Sequence, residues 1–331
     1  MRLVNMDNLD LHSLDLLLAG ERARRPPGSS DRTMQQLGVH FDATQMWLPP
    51  QAKPLEVDRL QAEMSGRARS TWPDLQVVSA CASTNSTLQG LGAAAAGHAL
   101  ATEYQWGGRG RRGRGWLSPI ARNIALSVAW VGPGSLADLS GLSLAVGVAC
   151  TDALHTLGVS AVAIKWPNDL IAVTAAGHDP GRSANTGYAK LGGILVELHS
   201  YGDQTVAVIG VGVNFAAASL LRPHVDQELA DVAELCPALD RTSLLIGLLD
   251  ALADYLANFA ETGFEPLVPL WDRLHAFTGQ AVRVGDPTNP RHAMHGTVLG
   301  VAPSGELRLA TATGETLVGA GEVSLRPETG L

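Results

Sequence analysis

The chain has 331 residues, 46% of them hydrophobic, with a mean hydropathy of +0.09 and a formal net charge of −8. This length exceeds one ordinary domain and the apolar content supports a large buried core, while the acidic balance argues against wholesale nucleic-acid binding. There is no continuous run of about 18 apolar residues and no basic-then-apolar leader, so neither a membrane span nor secretion is expected and the protein is assigned to the cytoplasm. Cys81, Cys150 and Cys236 lie far apart with no CxxC pair, which argues against a disulfide framework or a zinc site.

In chain order, residues 1–70 read as a reduced N-terminal region. A short amphipathic helix is predicted over 9–18, a loop over 22–30 around Pro26, Pro27 and Gly28, and an extended piece over 39–42. No separate core is evident there. From about residue 75, strand-length apolar runs alternate with helical stretches. Strands are predicted at 75–78, 98–103, 123–129, 162–166, 192–197 and 206–211. A helix over 136–157 stops at Gly158. The clearest helix covers 240–262, with Leu244, Leu245, Leu248, Leu249, Leu252, Leu256 and Phe259 on one face at helical spacing. Residues 174–189, rich in Ala, Gly, Ser and Asn, read as a surface insertion. After Phe277, five short strands separated by Pro- and Gly-bearing turns predict a small β-barrel.

The stretch QWGGRGRRGRGW (105–116) carries the most chemistry. Four arginines, Arg109, Arg111, Arg112 and Arg114, are spaced by glycines. Glycine lets backbone bend and approach a ligand, and guanidinium groups present donors that match carboxylates and phosphates. A dinucleotide-type GxGxxG match inside it is discounted, because Pro119 and the dense glycines do not open a helix after a strand. The bland alternative is a solvated RG-rich linker or a nonspecific RNA patch, but the loop lies between two predicted core strands. Only three of the 24 basic residues are lysines, and one of them, Lys165, ends an apolar strand just before Pro167 in KWPND (165–169). A compact ammonium at a strand end suits ligand binding. GGILVE (192–197), GVGVN (210–214) and STN (83–85) add glycine-rich strand ends and small polar tips. Bulge, turn and cap readings explain these equally well on pattern alone. No nucleophile triad, HExxH or EF-hand pattern is present.

Taken together and in this order, with EYQ (103–105) and GEVSLR (321–326), these motifs resemble the biotin protein ligases over roughly residues 75–330. The resemblance implies an α+β fold, with a biotin/lipoate ligase-like catalytic domain of mixed sheet and flanking helices over 71–272 and an SH3-like β-barrel over 273–331. It implies that ATP and biotin condense to biotinoyl-5′-AMP with Mg²⁺, and that the acyl group passes to a lysine of the biotin carboxyl carrier protein of acetyl-CoA carboxylase. By matched position, Lys165, Arg109, Arg111 and Asp169 are implied to be catalytic. Ser83, Thr84, Asn85, Gln105, Gly108, Gly110, Gly192 and Gly193, with Arg109, Arg111 and Lys165, are implied to hold biotin. Arg109, Arg111, Arg112, Arg114, Trp116, Asn168, Asn214, Glu322 and Arg326 are implied to hold the nucleotide. No protein-bound metal site is implied.

Some members of the family carry an N-terminal winged helix-turn-helix and double as repressors. Here the interval between the first helix and Leu37 is too short for two further helices, so neither DNA binding nor repression is expected. A monomer or a homodimer is compatible with the sequence. The rival readings are a lipoate or octanoyl ligase, a nucleic-acid-binding regulator and an interaction scaffold built on the C-terminal barrel. The arginine–glycine loop running into Trp116 favours biotin. That loop is expected to order when ligand binds.

Overall fold

The computed structural model describes residues 9–173, 187–285, 293–319 and 324–327, the last four by backbone alone. The predicted first helix forms as α1 (Leu11–Leu18), capped by Asp10, whose carboxylate accepts from the Ser13 amide at 2.7 Å. After β1 (Ala23–Arg24) comes a helix that the prolines concealed, α2 (Asp31–Leu37), which starts on a Ser30 cap and stops at Gly38 with φ 76°. β2 (His40–Phe41) and β3 (Gln45–Trp47) complete a small antiparallel sheet in the order β1-β3-β2. Contrary to the sequence reading, this segment has a core: Leu14, Leu17, Met34, Leu37 and Met46 are buried together with Tyr104, Ile120 and Ala121. Its apolar residues are divided among short elements and completed from a distant part of the chain, so no periodic run betrays them.

Next come α3 (Val57–Glu63) and α4 (Gly66–Thr71), neither predicted. Leu60, Met64, Ala68 and Trp72 belong to the main core, so the expected division at residue 70 runs through a packed unit. The Trp72 indole donates to the Leu249 carbonyl at 3.1 Å.

The main sheet has seven strands: β4 (Asp74–Cys81), β5 (His98–Gln105), β6 (Asn123–Gly132), β7 (Val162–Lys165), β8 (Asp169–Val173), β9 (Tyr188–Tyr201) and β10 (Gln204–Asn214). Their order is β4-β5-β6-β10-β9-β8-β7, parallel between β4 and β5 and antiparallel elsewhere, which makes the sheet mixed. α5 (Thr84–Gly90) and α6 (Leu142–Thr156) lie between strands. Beyond β10 follow α7 (Ala218–Leu221), α8 (Val232–Leu235), α9 (Arg241–Thr262) and α10 (Val268–Leu274).

Period-2 alternation sorts the sheet into two faces. On β10, Ala207, Ile209, Val211 and Val213 join the large core with α6 and α9, whereas Val206 and Val208 pack in a separate cluster with Leu88 of α5. Gly210 and Gly212 share the parity of Val206 and Val208 and line a cleft. On β6, Ile124, Leu126 and Val128 face the large core and Ser127 faces α5. The stretches 136–156 and 241–262 are as long and apolar as a membrane span, and both bury apolar residues in this core.

A buried ion pair ties α9 to the sheet. Arg241 donates to Glu103 at 2.8 Å, and the other Glu103 oxygen accepts from the Leu55 amide at 2.6 Å. Five short strands follow, as predicted: β11 (Ala281–Gly285), β12 (Met294–Val301), β13 (Leu307–Thr311), β14 (Gly314–Val318) and β15 (Ser324–Pro327). They form an antiparallel sheet ordered β14-β13-β12-β11-β15, a small β unit at the C-terminal end of the chain. The α10–β11 connection touches the main sheet, where the Ala276 amide donates to the Ile164 carbonyl at 2.9 Å.

Candidate active site

A cleft of about 180 Å³ opens on the α5 side of the sheet. The described residues lining it include six cations, Arg109, Arg111, Arg112, Arg114, Lys165 and Lys190, and one acid, Asp169. In a chain of net charge −8 this concentrates positive potential at one place, as a polyanionic ligand requires.

The floor is polar and buried. Ser83 caps α5, and Ser83, Thr84 and Asn85 are each 4% exposed. The Thr84 amide donates to Gln105 Oε1 at 2.9 Å, and the Thr84 and Ser127 hydroxyls lie 2.7 Å apart. Ser127 Oγ also donates to Asn85 Oδ1 at 2.6 Å, and Asn85 Nδ2 donates to Glu197 at 2.8 Å. The glycines of GVGVN make this floor possible. A Cβ on Gly210 would lie 2.4 Å from Asn85 Oδ1, and one on Gly212 would lie 2.8 Å from the Trp116 ring. Trp116 therefore packs against β10 where only glycine fits. Among the described residues its buried indole nitrogen has no partner, which leaves a donor that a ligand can satisfy.

One wall comes from the end of β7 and the start of β8. Lys165 is 5% exposed, its ammonium 5.1 Å from the Tyr188 ring centroid and 3.9 Å from Asp169. The Trp166–Pro167 peptide is cis. Asn168 Nδ2 donates to the Ile194 carbonyl at 2.7 Å, which fixes the turn to β9. Lys190, at the start of β9, reaches back to Asp169 at 2.7 Å.

The opposite wall is the arginine–glycine loop, folded as a small hairpin. The Gly110 amide donates to the Arg114 carbonyl at 2.8 Å and the Trp116 amide donates to the Gly108 carbonyl at 2.8 Å. Arg112 takes a left-handed conformation with φ 61°, as does Gly113. Arg111 points across the cleft to Asn168 Oδ1 at 3.4 Å. Burial and the neighbouring Arg112 lower the Arg111 pKa, against the pull of Asp169.

The structure thus brings to one cleft Ser83, Thr84, Asn85, Gln105, Arg109, Gly110, Arg111, Arg112, Arg114, Trp116, Lys165, Asn168, Asp169 and Gly193. Three expected residues stand just behind its surface. Gly108 packs under Gln105 and Trp116, and Gly192 packs against the Gly212 carbonyl. Asn214, 2% exposed, donates to the Lys190 carbonyl at 3.4 Å. Arg326 lies in β15 opposite Arg283, while Glu322 falls outside the described residues. Sequence reasoning passes over Ser127, Lys190 and Glu197 as site residues. Lys190 had a signal in the scarcity of lysine, and Ser127 and Glu197 had one only in the strand register.

The site is thus a polar pocket with a cationic, glycine-jointed wall, set on a mixed sheet with helices on its far face. The family model of the biotin/lipoate A/B protein ligases matches residues 79–214. The "Bifunctional ligase/repressor BirA" of Escherichia coli is 33% identical over 243 residues, covering 72% of this chain and 70% of that protein. The "Biotin--[acetyl-CoA-carboxylase] ligase" of Paracoccus denitrificans is 33% identical over 252 residues, 73% of this chain and 96% of that one. Among solved structures, the biotin protein ligase from Aquifex aeolicus in complex with biotin and ATP has the same fold, with a TM-score of 0.61 at 22% identity over 77% of this chain and 99% of that one. The chain belongs to the biotin/lipoate A/B protein ligase family, on the side of the biotin protein ligases.

Proposed function

We propose that this protein condenses biotin with ATP and transfers the biotinoyl group to one lysine of a biotin carboxyl carrier protein. The observation that carries the reading is the join between a buried polar floor and a cationic wall. A ureido ring needs donors and acceptors at one end of the acid, and phosphates need cations at the other. An aliphatic acyl chain would leave the Thr84–Gln105–Ser127 floor facing hydrocarbon, which disfavours lipoate and octanoate.

In the first half-reaction, a carboxylate oxygen of biotin attacks the α-phosphorus of ATP, the new C–O–P link forms and pyrophosphate leaves. Lys165 is placed to hold the carboxylate and α-phosphate oxygens as charge builds between them. Arg109, Arg111, Arg112 and Arg114 bind the phosphates, and Trp116 covers the base. In the second half-reaction, the carrier's amine attacks the acyl carbon, an amide forms and AMP leaves. Asp169, held by Lys190, orients that amine. Among the described residues no cluster of three or more metal-ligating side chains exists. Mg²⁺ would be supplied with ATP, and the loop arginines and Lys165 would hold the phosphates it accompanies.

The N-terminal unit is proposed to leave the protein without repressor activity. Among the described residues, the helices before β2 are α1 and the seven-residue α2, and α2 turns Met34 and Leu37 into the core, which leaves little surface for the recognition helix that a helix-turn-helix seats in the major groove. The test of the function is a mass measurement. A carrier domain incubated with protein, biotin and MgATP gains one biotinoyl group, and the gain disappears without ATP. Modification of a lipoyl domain by lipoate instead would overturn the reading. A tight, salt-resistant gel shift of DNA upstream of biotin-synthesis genes would overturn the second statement.

A further inference from the structure

We propose that Glu197 is a positioning residue which couples the floor of the acyl pocket to the arginine–glycine loop. The inference rests on the reading of the cleft as a biotin-activating site and extends it. Glu197 lies on β9 and projects on the face shared by Gly193 and Leu195, both of which line the cleft. Its two oxygens have different partners. One accepts from Asn85 Nδ2 at 2.8 Å. The other stands 3.7 Å from a terminal nitrogen of Arg109, which also donates to Ser86 Oγ at 2.9 Å.

The consequences follow from donor chemistry. An ionised carboxylate only accepts, so it compels the Asn85 amide to turn its NH₂ group toward Glu197. Asn85 Oδ1 then faces inward and receives the Ser127 hydroxyl at 2.6 Å. Glu197, with the Leu195 carbonyl that accepts from the same Asn85 Nδ2 at 3.3 Å, therefore sets the direction of the hydrogen-bond chain under the acyl pocket. Its second oxygen supplies the negative charge that draws Arg109, and the loop behind it, onto α5. The Glu197 side chain is 28% exposed and that of Arg109 45%, so the ion pair is a weak, salt-sensitive latch, whereas the Asn85 contact is a close hydrogen bond.

The two functions can be separated. Glu197→Gln keeps an acceptor for Asn85 and removes the charge facing Arg109, whereas Glu197→Ala removes both. The experiment uses the full chain with biotin and MgATP. Adenylate formation is measured against biotin concentration, the loss of bound adenylate is followed after removal of free ligand, and trypsin cleavage at the loop arginines is timed. In Glu197→Gln, adenylate is lost and the loop is cut about threefold faster than in the wild type, with biotin KM unchanged. In Glu197→Ala, biotin KM also rises about tenfold. Raising salt speeds adenylate loss more in the wild type than in Glu197→Gln. Equal adenylate retention and equal loop cleavage in wild type and Glu197→Gln would overturn the latch. An unchanged biotin KM in Glu197→Ala would overturn the positioning of Asn85. A wild type that forms no adenylate from biotin would instead remove the underlying reading of the site, and this inference with it.

Discussion

The two walls of the cleft are made in opposite ways. The Lys165–Asp169 wall is sheet: Lys165 is buried, its strand is paired on β8, and the backbone beneath it is pinned by Ala276. The loop wall is glycine and largely exposed arginine, held by hydrogen bonds of its own and by contacts that include Ser86, Asn168 and Glu197. The difference teaches a division of labour. In the proposed reaction the buried wall supplies charge at a fixed point, where a preorganised cation stabilises a transition state most. In the same proposed reaction the loop wall supplies charge that arrives with the ligand and excludes water from a hydrolysable adenylate.

That contrast can be broken at four points, in decreasing order of effect. Lys165→Ala should lower the rate of adenylate formation about 100- to 1000-fold in a pyrophosphate-release assay. A loss smaller than tenfold would mean that the fixed wall is not where the charge is stabilised.

The second point is acid. Burial in the α10–β11 connection depresses the pKa of His275 from 6.5 to about 3. Its folded state is therefore neutral while the unfolded chain takes up a proton first. Stability is complete above pH 6.5 and falls as pH drops from 6.5 toward 3, by about 1.4 kcal/mol per pH unit from this group. Thermal midpoints measured from pH 7 to 4 should fall less steeply in His275→Phe than in the wild type. Parallel slopes would show that His275 does not support the buried wall.

Third, Gly212→Ala should push Trp116 off β10 and raise the KM for ATP about tenfold while leaving that for biotin nearly unchanged, since over-packing costs about 1–3 kcal/mol. Equal effects on both substrates would place Trp116 elsewhere than over the base. Smallest of all, raising salt from 0.05 to 0.5 M should weaken ATP binding about threefold and biotin binding hardly at all, as measured by titration calorimetry.

Much of the site was legible because its residues are contiguous in the chain. KWPND, the arginine–glycine loop and STN each put several cleft residues in one short string. The C-terminal strands were legible because each turn carries Gly or Pro. Contacts made by register were not. Glu197 meets Asn85 through the pairing of β9 with β10 and the packing of α5, neither of which leaves a local pattern. β8 escaped notice because its five residues directly follow a turn. α3 and α4 were missed because their few apolar residues pack on α9, which lies almost two hundred residues further along the chain. α2 was hidden by the prolines before it, although its Ser30 cap and the αL Gly38 at its end are ordinary helix punctuation.

In the proposed function the two walls together activate biotin by adenylation, before any carrier is present. Its most direct test is pyrophosphate release from MgATP by the purified full chain, with biotin, lipoate or octanoate as the only added acid and no acceptor protein. Release in a single burst with biotin alone, abolished in Lys165→Ala, is the predicted result. Release with lipoate or octanoate but not biotin, or a biotin burst that survives in Lys165→Ala, would contradict it.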